Sequence, residues 1–175
     1  MKRLLAAILV LATVHSTAIR ITADEGPSKA VPELKPLDNY VGSWDAVITS
    51  NGAQILKGQA TAEWILDGRF LQQTASFTTP DGSTSLTVIR LMTYDEKNRT
   101  YRIWGFLSNG MTREEEGTWD AKTRTMTLAH RSDGNTITTT AHFVEDGIIK
   151  LETVTTDRTG KEIAKTSGTS TRRKE

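Results

Sequence analysis

Three arginines stand inside or beside apolar, strand-like stretches: Arg69 in Arg69-Phe70-Leu71, Arg90 in Ile89-Arg90-Leu91 and Arg102 in Tyr101-Arg102-Ile103. A guanidinium turned into an apolar interior is costly unless paired, and its planar fork matches a carboxylate or phosphate. Any of the three that faces inward is therefore poised to hold the acidic head of a ligand. The alternative is that each points outward, its stem lying over apolar surface with the charge in water. Trp64, Tyr94, Trp104 and Phe106 occur in the same stretches and would line or cap such a site. Gln72 and Gln73 offer neutral hydrogen bonds to a ligand, or cross-strand pairs on a wet face.

Other chemistry is thinly represented. Beyond the first 23 residues, which hold His15, the histidines are His130 and His142. Either could ligate haem iron or a metal, but no carboxylate stands at ligand spacing, and Arg131 beside His130 disfavours a cation there. The sequence has no nucleophile elbow, no His-Glu-x-x-His and no cysteine, so a hydrolytic or other enzymatic role has no motif behind it and no cofactor is expected. Glu114-Glu115-Glu116 reads as a solvated strand edge, and Asp67-Gly68 as a tight turn whose aspartate bonds its own backbone.

The elements that must position these residues follow from the punctuation. Residues 1–23 carry Lys2-Arg3, an apolar run from Leu4 to Val14 and small residues at Ala18 and Ala23, which together read as a secretory signal peptide. Its removal takes away Lys2 and Arg3, and Arg20 as well for a cut after Ala23, so that 20 or 19 basic residues remain of 22, against 21 acidic ones. Charges of both signs are interspersed, with no basic stripe, so nucleic acid is set aside as a partner. Export without any cysteine suggests a bacterial periplasm or exterior, with stability from packing alone. No other stretch approaches the ~20 apolar residues a membrane span needs.

Residues 24–36, rich in proline and charge, read as a flexible leader ending in a short cap at Leu34, Leu37 and Tyr40. From Gly42 onward turn signals recur, from Asn51-Gly52 through Ser108-Asn109-Gly110 to the stretch 157–160, and the segments between are rich in Thr, Val, Ile and aromatics. Ten short strands joined by tight turns predict an all-β domain over 37–175, a single antiparallel up-and-down barrel that curls until the last strand meets the first. A barrel of that size holds one small ligand among its inward side chains. The Thr-, Ser- and Ala-rich late strands suggest a roomy, moderately polar lumen.

Gly42-Ser43-Trp44 on the first strand, with Arg172-Arg173 at the end of the last, resembles the signature of lipocalins and the wider calycin group. The block Trp64-Ile65-Leu66-Asp67-Gly68-Arg69-Phe70-Leu71, with Tyr94-Asp95 and the run from Tyr101 to Gly110, is similar to a family of uncharacterised secreted bacterial proteins with a calycin-like barrel. The lipocalin resemblance implies a floor in which Arg172 lies over Trp44 and Gly42 gives the chain room. The strand count is nearer the fatty-acid-binding and nitrobindin-like barrels. The resulting expectation is an exported barrel holding a small, mostly apolar molecule with a polar or acidic head. The rival is a barrel whose aromatics fill the lumen and whose outer face binds protein.

Overall fold

The computed structural model describes residues 31–145 and 147–174. The signal peptide expected at 1–23 and the leader up to residue 30 lie outside the described residues. The chain opens with a 3-10 helix, Pro32–Tyr40, followed by ten strands: β1 (Gly42–Ser50), β2 (Ala53–Ile65), β3 (Phe70–Thr78), β4 (Ser85–Asp95), β5 (Thr100–Leu107), β6 (Thr112–Asp120), β7 (Thr125–Ser132), β8 (Asn135–Glu145), β9 (Ile148–Thr156) and β10 (Glu162–Arg172). Every strand pairs antiparallel with its sequence neighbour, and β1 pairs with β10, from Trp44 opposite Arg172 to Thr49 opposite Ser167. The barrel is closed.

Local chemistry explains the connections. Asn51 and Gly52 take φ of 49° and 80°, the paired left-handed conformation of a type I′ hairpin, whose twist matches that of the flanking strands. The helix begins at Pro32, so Pro32 to Pro36, which the sequence assigned to the leader, belong to the cap. Proline at the first helical position lacks only a donor that would be unpaired there. Leu34, Leu37 and Tyr40 are buried beneath the cap.

Three aromatic donors stitch the cap to the barrel: Trp44 Nε1 to the Tyr40 carbonyl at 2.7 Å, Trp64 Nε1 to Asp38 Oδ1 at 2.9 Å, and the Tyr101 hydroxyl to the Glu33 carbonyl at 2.6 Å. The half of the barrel under the cap is a packed core, with Leu37, Leu71, Met92, Ile103 and Met126 fully buried and Tyr40 edge-on to Phe143 at 4.9 Å. Space is left in the other half, where the small side chains of Ala46, Ala60, Ala75, Thr139, Ala141 and Ser170 line the lumen.

Two expected placements are corrected. On β5, Tyr101, Ile103 and Gly105 are buried and point inward. Arg102, Trp104 and Phe106 alternate with them and lie on the outer face rather than around the lumen. Arg102 is held there by ion pairs to Glu114 and to Glu116, the latter at 3.0 Å, and its guanidinium lies 5.8 Å from the Trp104 ring. Glu115, read from the sequence as solvated, is 2% exposed inside the barrel, because β6 turns Arg113, Glu115 and Trp119 to the face opposite Glu114 and Glu116.

Candidate functional site

The centre of the lumen carries a charged cluster built from three strands. Arg90 on β4 donates from Nη2 to Glu115 Oε2 on β6 at 2.5 Å. On the other side of the same carboxylate, Arg113 Nε lies 3.6 Å and His130 Nδ1 on β7 lies 3.5 Å from Oε1. Strand register brings them together: Arg90 stands opposite Gly105, and Gly105 opposite Arg113, so the missing Gly105 side chain leaves room for the two guanidiniums on one wall.

Burial works to raise the Glu115 pKa, but the Arg90 and Arg113 charges and the Arg90 hydrogen bond outweigh it and hold the carboxyl below its ordinary value. Burial also lowers His130; Glu115 opposes this, and the two guanidiniums add to it, so the imidazole is neutral near pH 7. Arg113 is pushed down by burial, which Glu115 partly offsets, yet a guanidinium stays protonated. The cluster thus holds two permanent cations against one carboxylate. The Nε atoms of Arg90 and Arg113 are buried without a hydrogen-bond partner.

Above the cluster lies a cavity of about 150 Å³, lined on its polar side by Arg90, Arg113, Gln73 and Tyr40 and on its apolar side by Ala60, Ala75, Val88, Ile149 and Leu151. Burial raises the Tyr40 hydroxyl to about 12, with Arg90 lowering it and Glu115 raising it, so it stays protonated and can donate. Toward the uncapped mouth, Ile48 and Phe77 make the lumen apolar.

Of the residues the sequence singled out, Arg90 lies in this site and Gln73 beside it. Arg69 sits in the β2–β3 turn at the capped end, its amide bonded to Leu66 and its carbonyl accepting from Thr93. Trp64 and Tyr94 also belong to the capped end: Trp64 is tied to Asp38, and Tyr94 stands 5.1 Å from Tyr101 beside an outer groove along the helix. Trp44 carries the Arg172 guanidinium at 4.3 Å from its ring, with Arg172 donating to the carbonyls of Val41 and Asn39. Gly42 has φ 109°, and a Cβ there would fall 2.6 Å from Arg172 Nη1, so the floor needs glycine at this position. His142 is exposed on the outer wall against Thr125, away from His130. Among the described residues no three His, Cys, Asp or Glu groups cluster as metal ligands.

Sequence reasoning missed Glu115, Arg113, His130 and Tyr40 as one site. The available signal was Arg113-x-Glu115, two opposite charges on one face of a strand whose alternate face also carries acids.

A closed ten-strand barrel with this cap and floor covers nearly all of residues 29–172, and that span matches the family of proteins of unknown function DUF1579. The chain belongs to DUF1579. None of the curated proteins matches it. Among solved structures, this DUF1579 chain is similar to the S-type phycobiliprotein lyase CPES from Guillardia theta, with a TM-score of 0.56 and 11% identity over 81% of this chain and 92% of the lyase. It also matches EF1p2_mFAP2b bound to DFHBI, at a TM-score of 0.43 and 14% identity over 81% of this chain and 99% of that one. At such identities the likeness to the lyase is one of fold.

Proposed function

We propose that this protein binds a small amphipathic carboxylic acid in its lumen, with the carboxylate between Arg90 and Arg113 and the apolar part along Ala60, Ala75, Val88 and Ile149. The observation that carries the reading is the uncompensated cation: Arg90 and Arg113 face one carboxylate, and the Nε of each is buried without a hydrogen bond, that of Arg113 lying 3.6 Å from Glu115. A partly buried cation of this kind gains from an anion that completes it, and charge-assisted hydrogen bonds to a carboxylate are the strong ones. Gln73 and the protonated Tyr40 hydroxyl supply neutral donors at the same cavity. The cavity's 150 Å³ sets the size, since a dry cavity of about that volume takes a benzene ring. A longer apolar tail would run past Phe77 toward the mouth.

Export belongs to the same proposal and is supported by the basic start, the apolar run and the small residues that follow it. The interspersed charges favour a small-molecule partner over nucleic acid.

Calorimetric titration with benzoate and hexanoate, against benzyl alcohol and hexanol, tests the reading. The acids bind and the alcohols do not. Arg113→Gln weakens benzoate by about tenfold or more, the equivalent of one charge-assisted hydrogen bond of roughly 1.5–3 kcal/mol. Alcohols binding as tightly as the acids, or no acid binding at all, would refute it.

A further inference from the structure

Nine of the ten strand-to-strand seams run to within one residue pair of the end of the facing strands; the seam between β6 and β7 stops three pairs short. Its ladder runs from Asp120 opposite Thr125 to Glu116 opposite Ala129 and stops there. Residues 112–115 and 130–132 are still strand, paired on their far sides with β5 and β8, yet among the described residues they form no backbone ladder with each other, and the Glu115–His130 side-chain contact spans the gap at its inner end. The wall is split over the mouth-side half of this seam.

A pocket of about 510 Å³ fills the split, lined by Phe106, Met111, Arg113, Glu114, His130 and Arg131 among others. Phe106 and Met111 are 46% and 58% exposed, which gives the rim an apolar surface. Glu114 is engaged by Arg102 and Glu115 by Arg90, whereas Arg131 has no ion-pair partner among the described residues. The split therefore presents cationic and apolar groups together, the same chemistry as the lumen site behind it.

Arg113 joins the two spaces, for it lines both this pocket and the lumen cavity. Its side chain lies over Gly105, where a Cβ would come 3.0 Å from Arg113 Cγ and 3.2 Å from Nε. The side chain thus rests between outside and inside, on a floor that carries no side chain of its own.

We infer that the split β6–β7 seam is the doorway through which an anionic, partly apolar ligand reaches the lumen, with Arg131 drawing it in and Arg113 as the gate. Admission is lateral, through the wall, and not through the barrel mouth. The inference rests on the lumen reading above and adds the route.

The chain has no cysteine, so the seam can be closed selectively. Continuing the ladder one for one beyond Glu116–Ala129 sets Glu114 opposite Arg131. The double variant Glu114→Cys/Arg131→Cys, joined by a short bismaleimide, is compared with the same variant left unjoined, which removes the effect of the lost charges. Stopped-flow energy transfer from tryptophan to salicylate, a small fluorescent carboxylate, reads the association rate, and equilibrium titration reads Kd. Closing the seam slows association by about tenfold or more while Kd changes little, because a doorway affects both directions of passage. Leu86→Trp, which narrows the mouth, leaves the rate unchanged. An association rate indifferent to the cross-link, or one slowed by Leu86→Trp instead, overturns the doorway. Absence of equilibrium salicylate binding to the unaltered protein removes the lumen reading, and the doorway with it.

Discussion

Replacing Glu115 with glutamine separates a ligand-binding role for the lumen cluster from a purely structural one. The carboxylate is 2% exposed and, among the described residues, is the one acid facing Arg90, Arg113 and His130, so Glu115→Gln leaves two guanidiniums in the lumen without that counter-charge. Breaking a buried pair in this way costs about 3–5 kcal/mol. The Arg113 side chain is 36% exposed and that of Arg90 is 19% exposed, so water screens part of the loss. The low end, about 3 kcal/mol, is the expected cost.

For a chain of this size that corresponds to a Tm lower by roughly 6–12 °C. The same change makes the lumen a stronger anion trap, so benzoate stabilises the variant more than the unaltered protein; ligand at ~100 times Kd contributes ~2.7 kcal/mol. Melting is followed by near-UV circular dichroism near neutral pH, with and without benzoate, against sodium chloride at matched ionic strength. If Tm falls by less than about 2 °C, the cluster is not the buried ion network described here. If benzoate raises both Tm values equally, the carboxylate does not bind where Glu115 balances the arginines.

Gly42→Ala places a methyl group in the space of the Arg172 guanidinium at a backbone angle glycine tolerates, and costs about 1–3 kcal/mol, read as a lower urea midpoint with a changed Trp44 near-UV signal. Stability also falls on acidification in two stages. His130 has its pKa lowered, chiefly by burial, so the unfolded chain takes up a proton first and stability declines as pH drops below ~6.5. Glu115 is held below its ordinary value once the arginines outweigh burial, so its contribution is complete above the ordinary glutamate range and lost as pH falls toward the folded value. Urea titrations at about pH 7.5, 5.5 and 3.5 resolve the stages, and His130→Gln removes the upper one while leaving the lower.

The barrel itself was legible because its punctuation is local. Asn51-Gly52 and the turns after it mark strand ends through backbone angles that a few residue types accept, and short connections force neighbours to pair. Closure follows from the strand count. The facing of β5 was not legible, because both of its faces carry aromatics, and alternation separates two faces without saying which is inside. What decides it comes from the next strand: Glu114 and Glu116 hold Arg102 out, and Arg113 needs the space above Gly105. The Glu114-Glu115-Glu116 run misled for a related reason. Three adjacent acids look solvated when read along the chain, but the middle one finds its partner in Arg90, 25 positions away. The cap was legible from Leu34, Leu37 and Tyr40, and its start at Pro32 was not, because Pro32 and Pro36 resemble a linker until a buried face is known.

Closure by pairing β1 with β10 also sets the order in which this protein can become whole. Asp45 meets Arg173 across 128 positions, so until the last strand has been synthesised the first strand keeps a bare edge and Trp44 has no guanidinium above it. Every intermediate lacking β10 is an open, curved sheet with two sticky margins, and loop-closure entropy makes the final joining slow. The hazard of misassembly therefore falls in the interval before the C-terminal strand arrives, and a chain truncated by even that one strand would offer β1 and β9 to any neighbour able to pair with them.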